Sequence, residues 1–244
     1  MTMKPIWIIA RRELAVFFDS LMAYILIILF LTVTGILTWL FGNDVFMSGQ
    51  ANLSVFFFWA YWTLFLFIPA ITMRLIAEEK RSGTIELLLT KPVTDWQFVT
   101  GKFLSALILV AIALALTLPY YFTVWKLGPV DHGAVLTGYL GLLLMSGAYI
   151  SIGILASSFT NNQIVAFLVT LFIGIFFHLL FGLLASGFPG VIGRILNYMS
   201  MQTHYESVSR GVLDSKDIIY FLSFMIMGLV ISEVILAKRN IADK

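Results

Sequence analysis

Long apolar runs, each of about 20 residues, dominate the pattern of hydrophobic and polar positions along the chain. A helix of about 20 residues crosses the hydrocarbon core of a bilayer, whereas membrane strands would alternate apolar and polar residues. The pattern therefore predicts an all-α polytopic membrane protein with six transmembrane helices. The predicted spans are residues 21–41, 53–76, 102–125, 134–157, 164–186 and 218–237.

The composition supports a single membrane domain over residues 1–244. Mean hydropathy is +0.98 and only 11% of residues are charged, against about 25% in soluble domains. The apolar runs use nearly the whole chain, so we expect no large soluble domain within it. The absence of cysteine excludes disulfides and thiolate metal sites.

The distribution of Lys and Arg predicts the orientation. Cationic loops stay in the cytoplasm, and an even number of spans places both termini on one side. Eleven of the fifteen cations fall on the side of the termini. We therefore expect both termini to be cytoplasmic.

The first twenty residues predict a helix that lies along the inner membrane surface. Charged positions such as Arg11, Arg12 and Glu13 alternate with apolar ones such as Trp7 and Phe17. This segment is too charged for the apolar core of a signal peptide and is typical of an interfacial helix. A simple anchor and a gating role are both compatible with it.

The segment 77–101 is the most polar part of the first half of the chain. Pro92 limits any helix before it. On a helical projection of residues 84–91, Leu87 lies among polar side chains such as Thr84 and Glu86. Leu87 is therefore either an exposed leucine without a role or a docking residue for a cytoplasmic partner.

Two capping boxes are predicted at the starts of helices on this side. Thr94 with Gln97 begins the third span, and Lys102 is expected to snorkel to the interface. Thr160 with Gln163, supported by a hydrophobic staple, begins the fifth span. The predicted cytoplasmic face thus presents two helical reversals of unequal size.

Four stretches resemble the permease subunits of ABC-2 type ABC transporters. The similarity is greatest to the branch of gliding-motility and copper-reductase-maturation permeases, although Met201 stands where that branch is expected to have proline. The stretches are ARRELAVFF, AEEKRSGTIELLLTKPVTDWQFVTGKF, GILASSFTNNQIVAF and HYESVSRGVLDSKDIIYFLS.

The resemblance implies a transmembrane permease subunit that couples ATP hydrolysis to export or to mechanical work, such as gliding motility, in a bacterial inner membrane. Residues 1–20 would be the elbow helix and 77–101 the coupling-helix segment. Independently of the resemblance, the amphipathic pattern that begins with FPGVIGRILNYM predicts an outer interfacial helix within the segment 187–217, which could act as a lid. The resemblance implies a separate cytoplasmic ABC ATPase, which holds ATP and Mg, and a second permease subunit, identical or different. It implies no cofactor on this chain and no nucleic-acid partner.

The implied ATPase contacts are Glu78, Glu79, Arg81, Gly83, Thr84, Glu86 and Leu87. The resemblance also singles out the cytoplasmic turn between spans four and five, with Thr160, Asn162 and Gln163. In the outer segment that leads into the last span it singles out His204, Arg210 and Asp217.

Other classes are less well supported by the sequence. No GxxxxGK[ST] phosphate loop occurs, so ATPase activity is expected only from a partner. A stand-alone secondary transporter or channel would need ionisable groups at membrane depth. His178 qualifies, but a hydrogen bond to a neighbouring helix is the simpler interpretation of it. Motifs of membrane hydrolases and metal-ligand spacings are absent from the sequence, so no catalytic or metal site is predicted. A structural scaffold would explain the spans but not the two capped reversals.

Overall fold

A computed structural model describes residues 3–40, 51–85 and 93–242. These ranges are almost entirely helical and contain no strand. The helices are α1 Met3–Asp19, α2 Leu21–Trp39, α3 Ser54–Thr72, α4 Ala77–Ser82, α5 Asp95–Ala115, α6 Leu118–Leu127, α7 His132–Phe159, α8 Gln163–Ile175, α9 Phe181–Gly187, α10 Gly190–Met199, α11 Met201–Ser209 and α12 Ser215–Ala242. A π-helical turn, Phe176–Leu180, joins α8 to α9.

Six helical stretches in the described ranges are long and apolar enough to cross a membrane, which confirms the predicted number of spans. Each overlaps one predicted run. The fifth agrees to within one residue at both ends, whereas the third begins at Asp95 rather than at residue 102. The stretches, numbered as spans one to six, are Leu21–Trp39, Ser54–Ser82, Asp95–Leu127, His132–Phe159, Gln163–Gly187 and Ser215–Lys238.

Span four, α7, lies at the centre of the bundle. It packs against α3, α5, α8, α11 and α12. About 78% of its most apolar window is buried, compared with 22% in spans one and five. Small residues allow this packing, since a Cβ atom added at Gly153 would collide with the side chain of Thr72. At Gly153 the absence of a side chain therefore serves packing between spans four and two within one chain.

The helix predicted from the amphipathic pattern between spans five and six is confirmed as α10. It begins after Pro189, and its apolar positions Val191, Ile192 and Ile195 are exposed. In the next helix, α11, buried residues face the bundle. α10 and α11 lie at the same end of the bundle as the start of α3, which is the end opposite α4.

Candidate functional site

Span two breaks near one end, and a serine from span four satisfies the backbone groups that the break exposes. α3 ends at Thr72 and α4 begins at Ala77, with a turn between them. The Ser157 hydroxyl oxygen accepts hydrogen bonds from the backbone N–H of Ile76 at 3.1 Å and of Ala77 at 2.9 Å. The same hydroxyl donates to the carbonyl oxygen of Met73 at 3.2 Å. Because a hydroxyl has one donor and two acceptor positions, Ser157 is fully used and fixes the start of α4.

Four charged side chains join α4 to α1 and to the third span. The Lys102 Nζ atom on α5 lies 3.0 Å from Glu13 Oε2 on α1 and 2.9 Å from Glu79 Oε1 on α4. Arg12 approaches the same two carboxylates at 2.9 and 3.4 Å. We call Arg12, Glu13, Glu79 and Lys102 the charged cluster. It connects three helices that are distant in sequence.

The charged cluster is buried on its lysine side and open on its arginine side. The Lys102 side chain is 1% exposed, whereas that of Arg12 is 49% exposed. Burial alone would raise the pKa of Glu13, but the charges of Lys102 and Arg12 and their hydrogen bonds outweigh it and lower that pKa below 4.5. Glu13 is therefore held in its ionised form by its neighbours.

The prediction that Lys102 snorkels to the interface is wrong. Its ammonium group turns inward, where two carboxylates from other helices neutralise it and the ring of Phe98 lies 4.9 Å away. A buried lysine is tolerated only with such partners. Sequence reasoning also missed the contributions of Arg12, Glu13 and Ser157, because their partners are distant in sequence.

The predicted contact residues that the structure describes lie on or beside α4. Glu79 belongs to the charged cluster, while Glu78 and Thr84 line a cavity of about 230 Å³ next to it. Arg81 is exposed, and Gly83 ends α4 with a φ of 69°. Glu86 and Leu87 lie outside the described residues.

Lys80 connects α4 to the end of span four. Its Nζ atom donates a hydrogen bond to the carbonyl oxygen of Ser158, directly after Ser157 in sequence. α4 is therefore attached on three sides, to α1, α5 and α7.

Of the two predicted capping boxes, one is confirmed and one is wrong. Thr94 and Gln97 exchange the two reciprocal hydrogen bonds, both at 3.2 Å. At the fifth span the N-cap is Asn162, whose Oδ1 accepts from the N–H of Ile164 at 2.9 Å. Thr160 accepts from the N–H of Asn162 at 3.0 Å and so shapes the turn that leads to the cap. Gln163 is the first helical residue.

At the opposite end, the structure brings two of the three predicted outer residues together. His204 Nδ1 lies 2.6 Å from Asp217 Oδ1, and both side chains are buried. His204 Nε2 lies 2.8 Å from the carbonyl oxygen of Tyr198, so this nitrogen carries a hydrogen. Arg210 is not part of this pair; it is exposed beside Glu206. The His204–Asp217 pair connects α11 to the start of α12.

His178 lies in the π-helical turn of span five, fully buried. The rings of Tyr61, Phe65 and Tyr149 surround it at centroid distances of 4.8 to 5.0 Å. Neither ring nitrogen has a hydrogen-bond partner in the described part of the protein. The expected hydrogen bond to a neighbouring helix is therefore wrong for its side chain. The same described ranges contain no group of three metal-ligating side chains.

Comparison with known proteins identifies the family of the chain. Residues 43–237 match the family described as "ABC-2 family transporter protein". Because the match covers most of the sequence, the chain belongs to the ABC-2 transporter family and is a multi-pass membrane protein with an ABC-2 permease domain.

Two curated relatives carry the same name, "Probable multidrug ABC transporter permease YbhR", one from Escherichia coli strain K12 and one from Escherichia coli O157:H7. Each is 28% identical over 151 residues, which cover 59% of this chain. The match spans 39% of each relative's own length.

Proposed function

We propose that the chain is the membrane subunit of an ABC transporter complex that a separate cytoplasmic ATPase drives by pressing on the segment 77–101. In this proposal the charged cluster and both termini face the cytoplasm, and the membrane is a bacterial inner membrane. A second permease subunit completes the complex, and ATP and Mg are bound by the ATPase. The observation that carries the proposal is the three-sided attachment of α4.

The attachment gives α4 the properties of a coupling element. The break at residues 73–76 separates α4 from α3, the longer part of span two. Glu79 and Lys80 then connect it to α1, α5 and α7. Because packed helices and ion pairs transmit displacement better than flexible loops, a force on α4 would move three membrane elements together. A loop without a partner would not need these contacts.

The face of this segment also suits a partner protein. Arg81 and Thr84 are exposed and remain available for contacts. Leu87, Glu86, Glu78 and the turn around Asn162 complete the proposed docking surface. Since the sequence contains no phosphate-binding loop, nucleotide chemistry is assigned to the partner.

The work performed is export or mechanical movement across the membrane. The name of the two curated relatives, "Probable multidrug ABC transporter permease YbhR", favours transport of drugs. The resemblance to the branch of gliding-motility and copper-reductase-maturation permeases favours mechanical or assembly work, and this finer assignment remains a prediction.

A stand-alone secondary transporter is the second candidate, and His178 favours it. An ionisable side chain buried at membrane depth is expensive and often marks an ion pathway. However, proton coupling would need a partner for its ring nitrogens, and none of the described residues provides a hydrogen bond to them. The ATPase-driven function therefore has more support.

Capture from native membranes tests the proposal. The tagged chain should bring down an ATP-binding protein, identified by mass spectrometry, together with ATPase activity. Leu87→Glu should lose that protein while still inserting and folding. Leu213→Glu is the matched control, since Leu213 is an exposed leucine at the opposite end, and it should retain the partner. Absence of any nucleotide-binding partner in all samples would contradict the proposal and favour the transporter centred on His178.

A further inference from the structure

A cavity of about 210 Å³ lies at the end of the bundle opposite the charged cluster. It is formed between the start of α3 and the helix α11. Its lining includes aromatic side chains, among them Tyr61, Trp62 and Tyr205, which we call the aromatic wall, and polar side chains, among them Glu206 and Arg210, which we call the charged wall. We call this cavity the distal pocket. Its lining is amphipathic.

The aromatic wall of the distal pocket is firmly held. The rings of Tyr61 and Tyr205 stack at a centroid distance of 4.8 Å, and both residues are buried. The Tyr205 hydroxyl donates a hydrogen bond to the carbonyl oxygen of Phe57 at 3.0 Å. Because its polar group is satisfied, the wall keeps its shape without a ligand.

The charged wall offers one anion and one cation side by side. The closest approach of the Arg210 and Glu206 side chains is 3.9 Å, which is too long for a hydrogen bond. Arg210 instead donates from Nε to the backbone oxygen of Glu206 at 3.0 Å, and Gln202 donates to the Glu206 carboxylate at 2.8 Å. The guanidinium and the carboxylate are largely exposed, so each can bind a group of opposite charge.

An apolar track leads from the distal pocket along span two. Phe58, Trp62, Phe65 and Leu66 follow one another on one face of α3. Ring centroids are 6.5 Å apart for Phe58 and Trp62 and 6.2 Å for Trp62 and Phe65. Phe58 and Leu66 are half exposed, and the rise between them is about 12 Å. The track therefore continues the pocket into the membrane-spanning part of the helix.

We propose that the distal pocket and this track bind a zwitterionic phospholipid. The lipid phosphate pairs with Arg210, its ammonium group with Glu206, and one acyl chain lies along Phe58, Trp62 and Leu66. An ammonium group beside aromatic rings gains further attraction from their faces. A purely anionic headgroup would meet the repulsion of Glu206, and a small soluble ligand would leave the track uncovered. The site does not depend on the ATPase partner.

Native mass spectrometry of the purified full chain tests this site. The protein is released from nanodiscs that contain equal amounts of phosphatidylethanolamine and phosphatidylglycerol with matched acyl chains. The native chain should retain phosphatidylethanolamine in preference to phosphatidylglycerol. Arg210→Gln should weaken retention of both lipids by about tenfold, because a charge-assisted contact to phosphate is lost. Glu206→Gln should remove the preference for phosphatidylethanolamine.

Two further variants complete the test. Lys216→Gln removes an exposed cation at the same end but outside the pocket, and it should bind lipid as the native chain does. Phe58→Ala shortens the apolar track at a half-exposed position and should lower retention of both lipids without preventing folding. Equal retention by the native chain, Arg210→Gln and Glu206→Gln would overturn the proposal. Recovery of a lipid-free dimer would also overturn it, since a second copy of the chain would then cover the track.

Discussion

Replacement of Lys102 by methionine should lower the free energy of unfolding by about 3 kcal/mol. Removing one partner from a buried ion pair costs about 3–5 kcal/mol, because the remaining charge stays buried without compensation. Here two carboxylates lose a partner, at 3.0 and 2.9 Å. Arg12 still contacts both, and their side chains are 11% and 16% exposed, so the lower end of the range is expected.

The triple variant Lys102→Met, Glu13→Gln, Glu79→Gln distinguishes this reasoning from a simple loss of packing. If uncompensated charge causes the loss, neutralising both glutamates should recover much of the stability. Unfolding is followed by tryptophan fluorescence in mixed micelles as the fraction of sodium dodecyl sulfate increases. Lys216→Met, at an exposed ion pair, should behave as the native chain does. A Lys102→Met variant as stable as the native chain, or a triple variant less stable than Lys102→Met, would show that uncompensated charge is not the cause.

Three further predictions concern single positions. Burial raises the pKa of Glu13, but Lys102 and Arg12 lower it overall below 4.5. The Glu13 carboxylate therefore contributes its full stabilisation above that pH and loses it as the pH falls through the lower pKa of the folded state. The thermal stability of Glu13→Gln should depend less on pH on the acid side than that of the native chain, and an unchanged pH profile would contradict this expectation. Gly83→Ala should lower the free energy of unfolding by about 1 kcal/mol in a denaturant titration, because the φ of 69° is unfavourable for alanine. A steric clash does not contribute, since a Cβ atom there meets no heavy atom within 4 Å. Recovery of stability by Gly83→Asn would identify backbone strain as the cause. His178→Phe should be at least as stable as the native chain, because neither imidazole nitrogen has a hydrogen-bond partner among the described residues and the surrounding rings are aromatic. A clear loss of thermal stability would indicate instead that the imidazole has a polar partner.

The number of spans and one of the caps could be predicted because their signals are local. The length of a continuously apolar run is enough to identify a transmembrane helix. In lipid, such a run must pair its backbone N–H and C=O groups within itself, and a helix does so. The capping box at Thr94 depends on two residues that are three positions apart. At the fifth span, however, Thr160 and Asn162 are both good capping residues, and the sequence alone favoured the wrong one.

The charged cluster could not be predicted because its partners are distant in sequence. Lys102 is 89 residues from Glu13 and 23 residues from Glu79. A lysine near the end of a span normally reaches the interface, and only the packing of α1 and α4 against α5 places two carboxylates beside this one. The hydrogen bonds of Ser157 to the break in span two depend in the same way on the contact between spans two and four.

Site-specific photo-crosslinking in native membranes tests most directly whether α4 receives a cytoplasmic ATPase. A photoreactive phenylalanine derivative is placed at Arg81, which is exposed on α4, or at Arg210, which is exposed at the opposite end. The proposed function predicts that position 81 crosslinks to an ATP-binding protein and that position 210 does not. Crosslinking to such a protein from position 210 alone, or from neither position while the complex remains assembled, would contradict it.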